Sequence, residues 1–111
     1  MSEIDSQLKN GIFVCLAICA ADGLISGEEE QCLEKEFEKD FGIASKEFQQ
    51  VIDLYFTSSH QLETFLLSVD DVSLRTKIIE IARLAAAADG LQINENIALQ
   101  KAEAFWDRAF V

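Results

Sequence analysis

Proline is absent from this 111-residue chain. No ring interrupts a helix, and every turn has to be made by Gly, Asp, Asn or Ser. Histidine occurs once, as His60, and cysteine three times. An odd number of cysteines excludes a closed disulfide framework, and a cysteine-based zinc site would need further Cys or His nearby. Cys15 and Cys19 stand one helical turn apart in an apolar stretch and read as buried, reduced thiols. His60 has no acid–base partner in sequence and reads as a cap-region or surface residue. Basic residues are scarce: 9 Lys and Arg stand against 20 Asp and Glu, a net charge of −11. The acidity concentrates in the first half, where residues 1–56 carry 12 acidic and 4 basic side chains, against 8 and 5 in residues 57–111. That balance argues against nucleic acid, whose phosphates reward Lys and Arg, and against an anionic membrane surface. It permits divalent cations or a basic protein partner. Long hydrophobic runs are missing too. The apolar stretch 11–21 falls short of the roughly 20 residues that span a bilayer, and the N-terminus Met-Ser-Glu-Ile-Asp-Ser lacks the basic region of a signal peptide. The expectation is a cytoplasmic protein with no membrane insertion. Period-2 runs and β-branched clusters are few, while half the residues are apolar. One folded all-α domain over residues 1–111 is therefore expected, a bundle of about six helices.

What the chain does contain is a stretch that occurs twice. Ala20-Ala21-Asp22-Gly23-Leu24 returns as Ala87-Ala88-Asp89-Gly90-Leu91, an offset of 67. Extended without gaps, the offset pairs Ile12 with Ile79, Glu28 with Glu95 and Glu36 with Glu103. An apolar run precedes each copy and an acidic or polar segment follows it, which reads as a duplicated helix–turn–helix unit with halves at about 10–41 and 77–108. Gly23 and Gly90 accept the left-handed conformation past a helix end, and Leu24 and Leu91 then fold back on the last turn. Asp22 and Asp89 are the odd choice, because a carboxylate there faces the negative end of the helix dipole. Two offsets fit: a bond from the Asp to a backbone N–H of the turn or of the next helix, or a cation bound between Asp22, Asp89 and the glutamates that follow.

Periodicity places the elements. Helix one covers about 6–21 and is apolar or small all round from Gly11, which reads as a central buried helix. Ser26 and Glu29 form a capping box opening helix two, with Glu28, Glu29 and Glu30 in the first turn. Leu33, Phe37 and Phe41 give its core face, and Glu30, Glu34 and Glu38 give an acidic stripe that reads as a solvated face. Gly42 stops it, followed by apolar Ile43. Ser45 is expected to cap helix three, about 46–57, whose core face is Phe48, Val51, Ile52, Tyr55 and Phe56. Thr57-Ser58-Ser59 reads as a linker. Helix four, about 60–69, buries Leu62, Phe65, Leu66 and Val69. Helix five, about 72–88, starts at Asp70 or Asp71 and faces inward with Ile78, Ile81, Ala82 and Ala85. Asn94 is expected to cap helix six, about 95–109, with Ile97, Ala98, Ala102, Phe105, Trp106 and Ala109 on the core side. A Phe105–Trp106–Phe110 edge is left to pair helices between copies.

The sequence offers no nucleophile–base set, no G-x-S-x-G and no phosphate loop, so an enzyme is not expected. The best candidate site is acidic. Asp22 to Glu29 resembles the second half of an EF-hand loop, with Asp22 at position 5, Gly23 at 6 and Glu29 at 12. Positions 1 and 3 would then be Ile18 and Ala20, which cannot ligate, and this rules out an ordinary EF-hand. The second copy fits less well, with Gln92 and Asn96 at the corresponding places. A metal would have to pool Asp22, Glu28, Glu29, Asp89 and Glu95, and oxygen ligands alone favour Ca²⁺, Mg²⁺ or Mn²⁺.

The doubled Ala-x-x-Asp-Gly with acidic residues at +6 and +7 resembles the TerB-like family, which comprises the tellurite-resistance TerB protein and its relatives. A related domain occurs in a membrane-anchored DnaJ-type co-chaperone. The resemblance covers about residues 10–108. It implies an all-helical pseudo-two-fold bundle, association with tellurite and other stress responses, no established enzymatic activity, and a divalent-metal site at Asp22, Glu28, Glu29, Asp89 and Glu95. Asn96 departs from the pattern where a second acid often lies, and Ile93 comes one residue later than the family's apolar position. The alternative is a metal-free protein-interaction domain that turns its acidic surface to a basic protein partner.

Overall fold

A computed structural model describes residues 6–23, 25–57, 61–88, 90 and 93–108, without the side chains of Asp22 and Arg108. Six α-helices form among the described residues: α1 Ser6–Cys19, α2 Gly27–Phe41, α3 Ser45–Thr57, α4 Leu62–Leu67, α5 Val72–Ala86 and α6 Ile93–Arg108. No strand occurs among the described residues, and no helix among them is long and apolar enough to cross a membrane. The expectations placed on Leu24, Ser58, Ser59, His60, Leu91, Ala109 and Phe110 lie outside the described residues.

The apolar run in α1 makes it the centre of the bundle. Gly11 to Leu16, Ile18 and Cys19 are all buried, and α1 packs against α3, α4, α5 and α6. Its approach to α5 depends on Gly11: a Cβ there would lie within 2.9 Å of Ile78 Cγ1, closer than packed carbon atoms tolerate. The inward face expected for α5 is borne out, since Ile78, Ile81, Ala82 and Ala85 are all buried.

Helix ends follow local chemistry. In α2, Glu29 N–H donates to Ser26 Oγ (3.1 Å) and Ser26 N–H donates back to Glu29 Oε1 (2.9 Å), the expected capping box. Gly42 ends the helix at φ 69° with its N–H on Glu38 O at 2.9 Å. Ile43 follows, only 4% exposed, with its N–H toward Phe37 O. In α5 the cap is Asp71, whose Oδ1 accepts from Leu74 N–H at 3.1 Å. Gln7 Oε1 ties α1 to this cap by accepting from Asp70 and Asp71 N–H.

Several expectations are corrected. Ser45 does not cap α3; it is the first helical residue, and its Oγ donates to Glu34 Oε1 at 2.7 Å. The cap falls one residue earlier, where Ala44 O accepts from Phe48 N–H. Gln49 Nε2 reaches both Glu30 and Glu34, so two members of the acidic stripe receive α3 rather than water alone. Phe56 is 65% exposed. Eight residues after Phe48 the helix has turned about 80° past the core face, and the Phe56 ring meets Tyr55 edge-on. In α6 the helix starts at Ile93, so Asn94 lies inside the first turn. Leu99 is buried in the core where Ile97 was expected, and Ile97 is exposed. Trp106 forms no exposed edge. It is buried, its Nε1 donates to Leu66 O at 3.0 Å, and the Arg75 guanidinium lies 5.6 Å from the ring centroid.

Candidate functional site

The two Asp-Gly turns are built alike. After α1 the chain tightens into a 3-10 turn, Ala20–Asp22. Gly23 then takes φ 99° and donates to Ala20 O at 2.8 Å. After α5, Gly90 takes φ 93° and donates to Ala87 O at 3.3 Å. Both glycines sit in the left-handed region, as the sequence requires. The chain leaving the first turn is directed back to the bundle by Ile25, which packs on the core.

Past each turn a helix begins, and the third residue of each is a glutamate: Glu29 in α2 and Glu95 in α6. Both are 1% exposed, and they are the buried charged residues among those described. The gapless repeat instead pairs Glu95 with Glu28. Helix position overrides that pairing, because the second turn reaches its helix one residue sooner. Glu28 occupies the second position of α2 and is exposed.

Both buried carboxyls act electrostatically on Cys19, the last residue of α1. Burial pushes the Cys19 thiol far above its ordinary range, and Cys15, Glu29, Glu95 and Cys32 each push it further. Both carboxyls therefore lie close enough to act on the same sulfur. This agrees with the packing of α6 directly against the 3-10 turn. Cys15 is driven up by burial and then by Cys32, and its Sγ donates toward Ile78 O. Burial also raises Cys32, with Glu36 adding and Lys35 subtracting. None of these thiols is poised as a thiolate nucleophile.

Glu29 is only half used by its cap. Oε1 accepts from Ser26 N–H, while Oε2 is buried and has no hydrogen-bond partner. A buried carboxylate oxygen left in this way is costly, and a cation or a donor is the usual offset. Its chemistry fits a hard divalent ion. Among the described residues no three His, Cys, Asp or Glu side chains come together as a metal-holding set. The carboxyls of Asp22 and Asp89 lie outside the described residues. The chain's own contribution to such a site is thus the open oxygen of Glu29, with Glu95 beside the same thiol.

The electrostatic link of both glutamates to Cys19 was not read from the sequence. The available signal was position: it directly precedes the first Ala-Ala-Asp-Gly, at the end of a helix buried all round. Compared with family models, with curated proteins and with solved structures, the chain finds no match.

Proposed function

We propose that this chain is a cytoplasmic, non-enzymatic module of TerB type, acting in tellurite-associated or other stress responses, that binds a divalent cation between its two Asp-Gly turns. The observation that carries the reading is the buried, unpartnered Oε2 of Glu29, with a second glutamate, Glu95, buried at the same helix position of the second copy. Glu29 and Glu95 would supply the buried carboxylates, with Asp22 and Asp89 completing the set from the turns and Glu28 available at the rim. An all-oxygen set favours Ca²⁺, Mg²⁺ or Mn²⁺.

The test is thermal unfolding in EDTA and then in Ca²⁺, Mg²⁺, Mn²⁺ and Zn²⁺, on the wild type and on Asp22→Asn/Asp89→Asn. A binding ion at a hundredfold excess over its Kd stabilises by about 2.7 kcal/mol, a shift of several degrees that the double variant should lose. A melting temperature unmoved by every ion would remove the proposal. A second reading rests on a different observation. The net charge of −11 accompanies exposed Leu54 and Phe56 at the end of α3, a surface suited to a basic protein with an apolar contact. Metal-insensitive stability with salt-sensitive association to such a protein would favour it.

A further inference from the structure

In a chain of net charge −11, one exposed face carries no carboxylate. The exposed residues of α6 from Ile93 to Ala104 are Ile93, Asn94, Ile97, Gln100, Lys101 and Ala104. Ile93 and Ile97 are 79% and 57% exposed, and at this spacing they stand one above the other on the helix. The two carboxylates beside this face are each paired with a base: Glu63 of α4 with Lys101, and Glu103 with Arg83 of α5. Asp107, the next exposed acid of α6, lies about a turn beyond Ala104. The face is thus apolar at its centre and close to neutral at its edges. The opposite side of α6 holds the helix to the bundle through Leu99, Ala102 and Trp106, all buried. A helix with apolar side chains on opposite faces suits a place between two packed layers, and among the described residues only the inner layer is present.

We propose that this face pairs α6 with the α6 of a second copy of the chain, antiparallel about a two-fold axis near Ile97. Charge selects the occupant. Copies of a chain this acidic repel one another wherever carboxylates meet, and here they meet none. A basic partner would be drawn instead to α2, where Glu28 and Glu38 are exposed, and an anionic partner would be repelled by the whole molecule. A two-fold contact also needs a patch that complements itself. Ile93, Ile97 and the Lys101 stem form a ridge of side chains spaced by four, and such a ridge packs into the groove of a like helix. Antiparallel pairing sets Ile93 of each copy against the Lys101 stem of the other and keeps the two ammonium groups apart. One helix face is smaller than the roughly 800 Å² per partner of a standard interface, so the Kd should lie in the micromolar range or above. The contact does not depend on any cation between the Asp-Gly turns.

The test is sedimentation equilibrium of the full chain over a range of concentrations, in about 0.05 M and about 0.5 M NaCl. All samples contain EDTA, which keeps the outcome separate from the cation reading. The mass should rise with concentration from the 12.4 kDa monomer toward twice that value. Association should tighten several-fold at the higher salt, because ions screen the repulsion between two acidic chains while the apolar contact remains. Ile97→Asp should weaken it at least about tenfold by setting like charges at the axis. The replaced side chain is mostly exposed, so thermal unfolding of the monomer should stay close to wild type. Phe56→Asp, at the exposed end of α3, should associate like the wild type. A monomer mass at every concentration up to about 1 mM, or association that weakens with salt, would overturn the proposal. So would Ile97→Asp associating like the wild type, or Phe56→Asp abolishing association.

Discussion

The two Asp-Gly turns end their helices in the same way and begin the next ones differently. Gly23 and Gly90 adopt nearly the same left-handed φ, 99° and 93°, and each following helix buries a glutamate at its third position. The first glutamate is locked by reciprocal bonds with Ser26. The second copy has Asn94 inside the helix and no such serine. The first hairpin is therefore fixed at its turn by local hydrogen bonds. In the second, Trp106 and the ion pairs around it hold the helix far from its turn. A duplicated segment can keep the backbone of a turn while its two copies are secured by different physics.

The largest break in that comparison should come from the distant fastening. Trp106→Ala removes a buried ring and leaves Leu66 O without its donor, so a loss of about 3–5 kcal/mol is expected in chemical denaturation. A loss under about 1 kcal/mol would mean that α6 is held by its turn after all. A smaller and more specific contrast lies at the helix starts. Ser26→Ala opens the capping box and should cost about 1 kcal/mol, while Asn94→Ala, at the equivalent end of α6, should stay within about 0.5 kcal/mol. Equal costs from the two variants would show that the copies are capped alike.

The smallest effect concerns Glu63, whose carboxyl is held below the ordinary carboxylate range chiefly by its hydrogen bond to Lys101, with its own backbone N–H adding. A lowered folded-state value gives stability that is present above the unfolded value and is lost as pH falls through the folded one. Lys101→Met should therefore cost a few tenths of a kcal/mol at neutral pH, since the pair is exposed and screened. The difference from wild type should vanish in acid, below the carboxylate range. A difference that persists there would assign the effect to packing of the lysine stem instead.

Much of the fold was legible because it depends on neighbours in sequence. The apolar run 11–21 specified a buried helix, Ser26 and Glu29 specified a cap, and Gly23, Gly42 and Gly90 marked the ends of helices whose following residues cannot continue them. The misreadings fall where a three-dimensional neighbour decides. Ile97 and Leu99 are both apolar, and only the packing of α6 against its neighbouring helices determines which one faces inward. Phe56 fits the apolar spacing yet lies past the edge of the core. Glu34 belongs to a charged stripe, but its oxygens are taken by Ser45 and Gln49 from α3.

The candidate site divides along the same line. The sequence by itself determined that two acidic turns exist, that each starts with a left-handed glycine, and that the glutamates after them belong to helix first turns. These are consequences of local sterics and helix-end hydrogen bonding. Only the tertiary structure decided that Glu29 and Glu95, not Glu28, go inside, that both act on Cys19, and that one oxygen of Glu29 is left open. Burial and charge proximity arise from how α6 lies against α1, and no spacing within a single segment encodes that crossing.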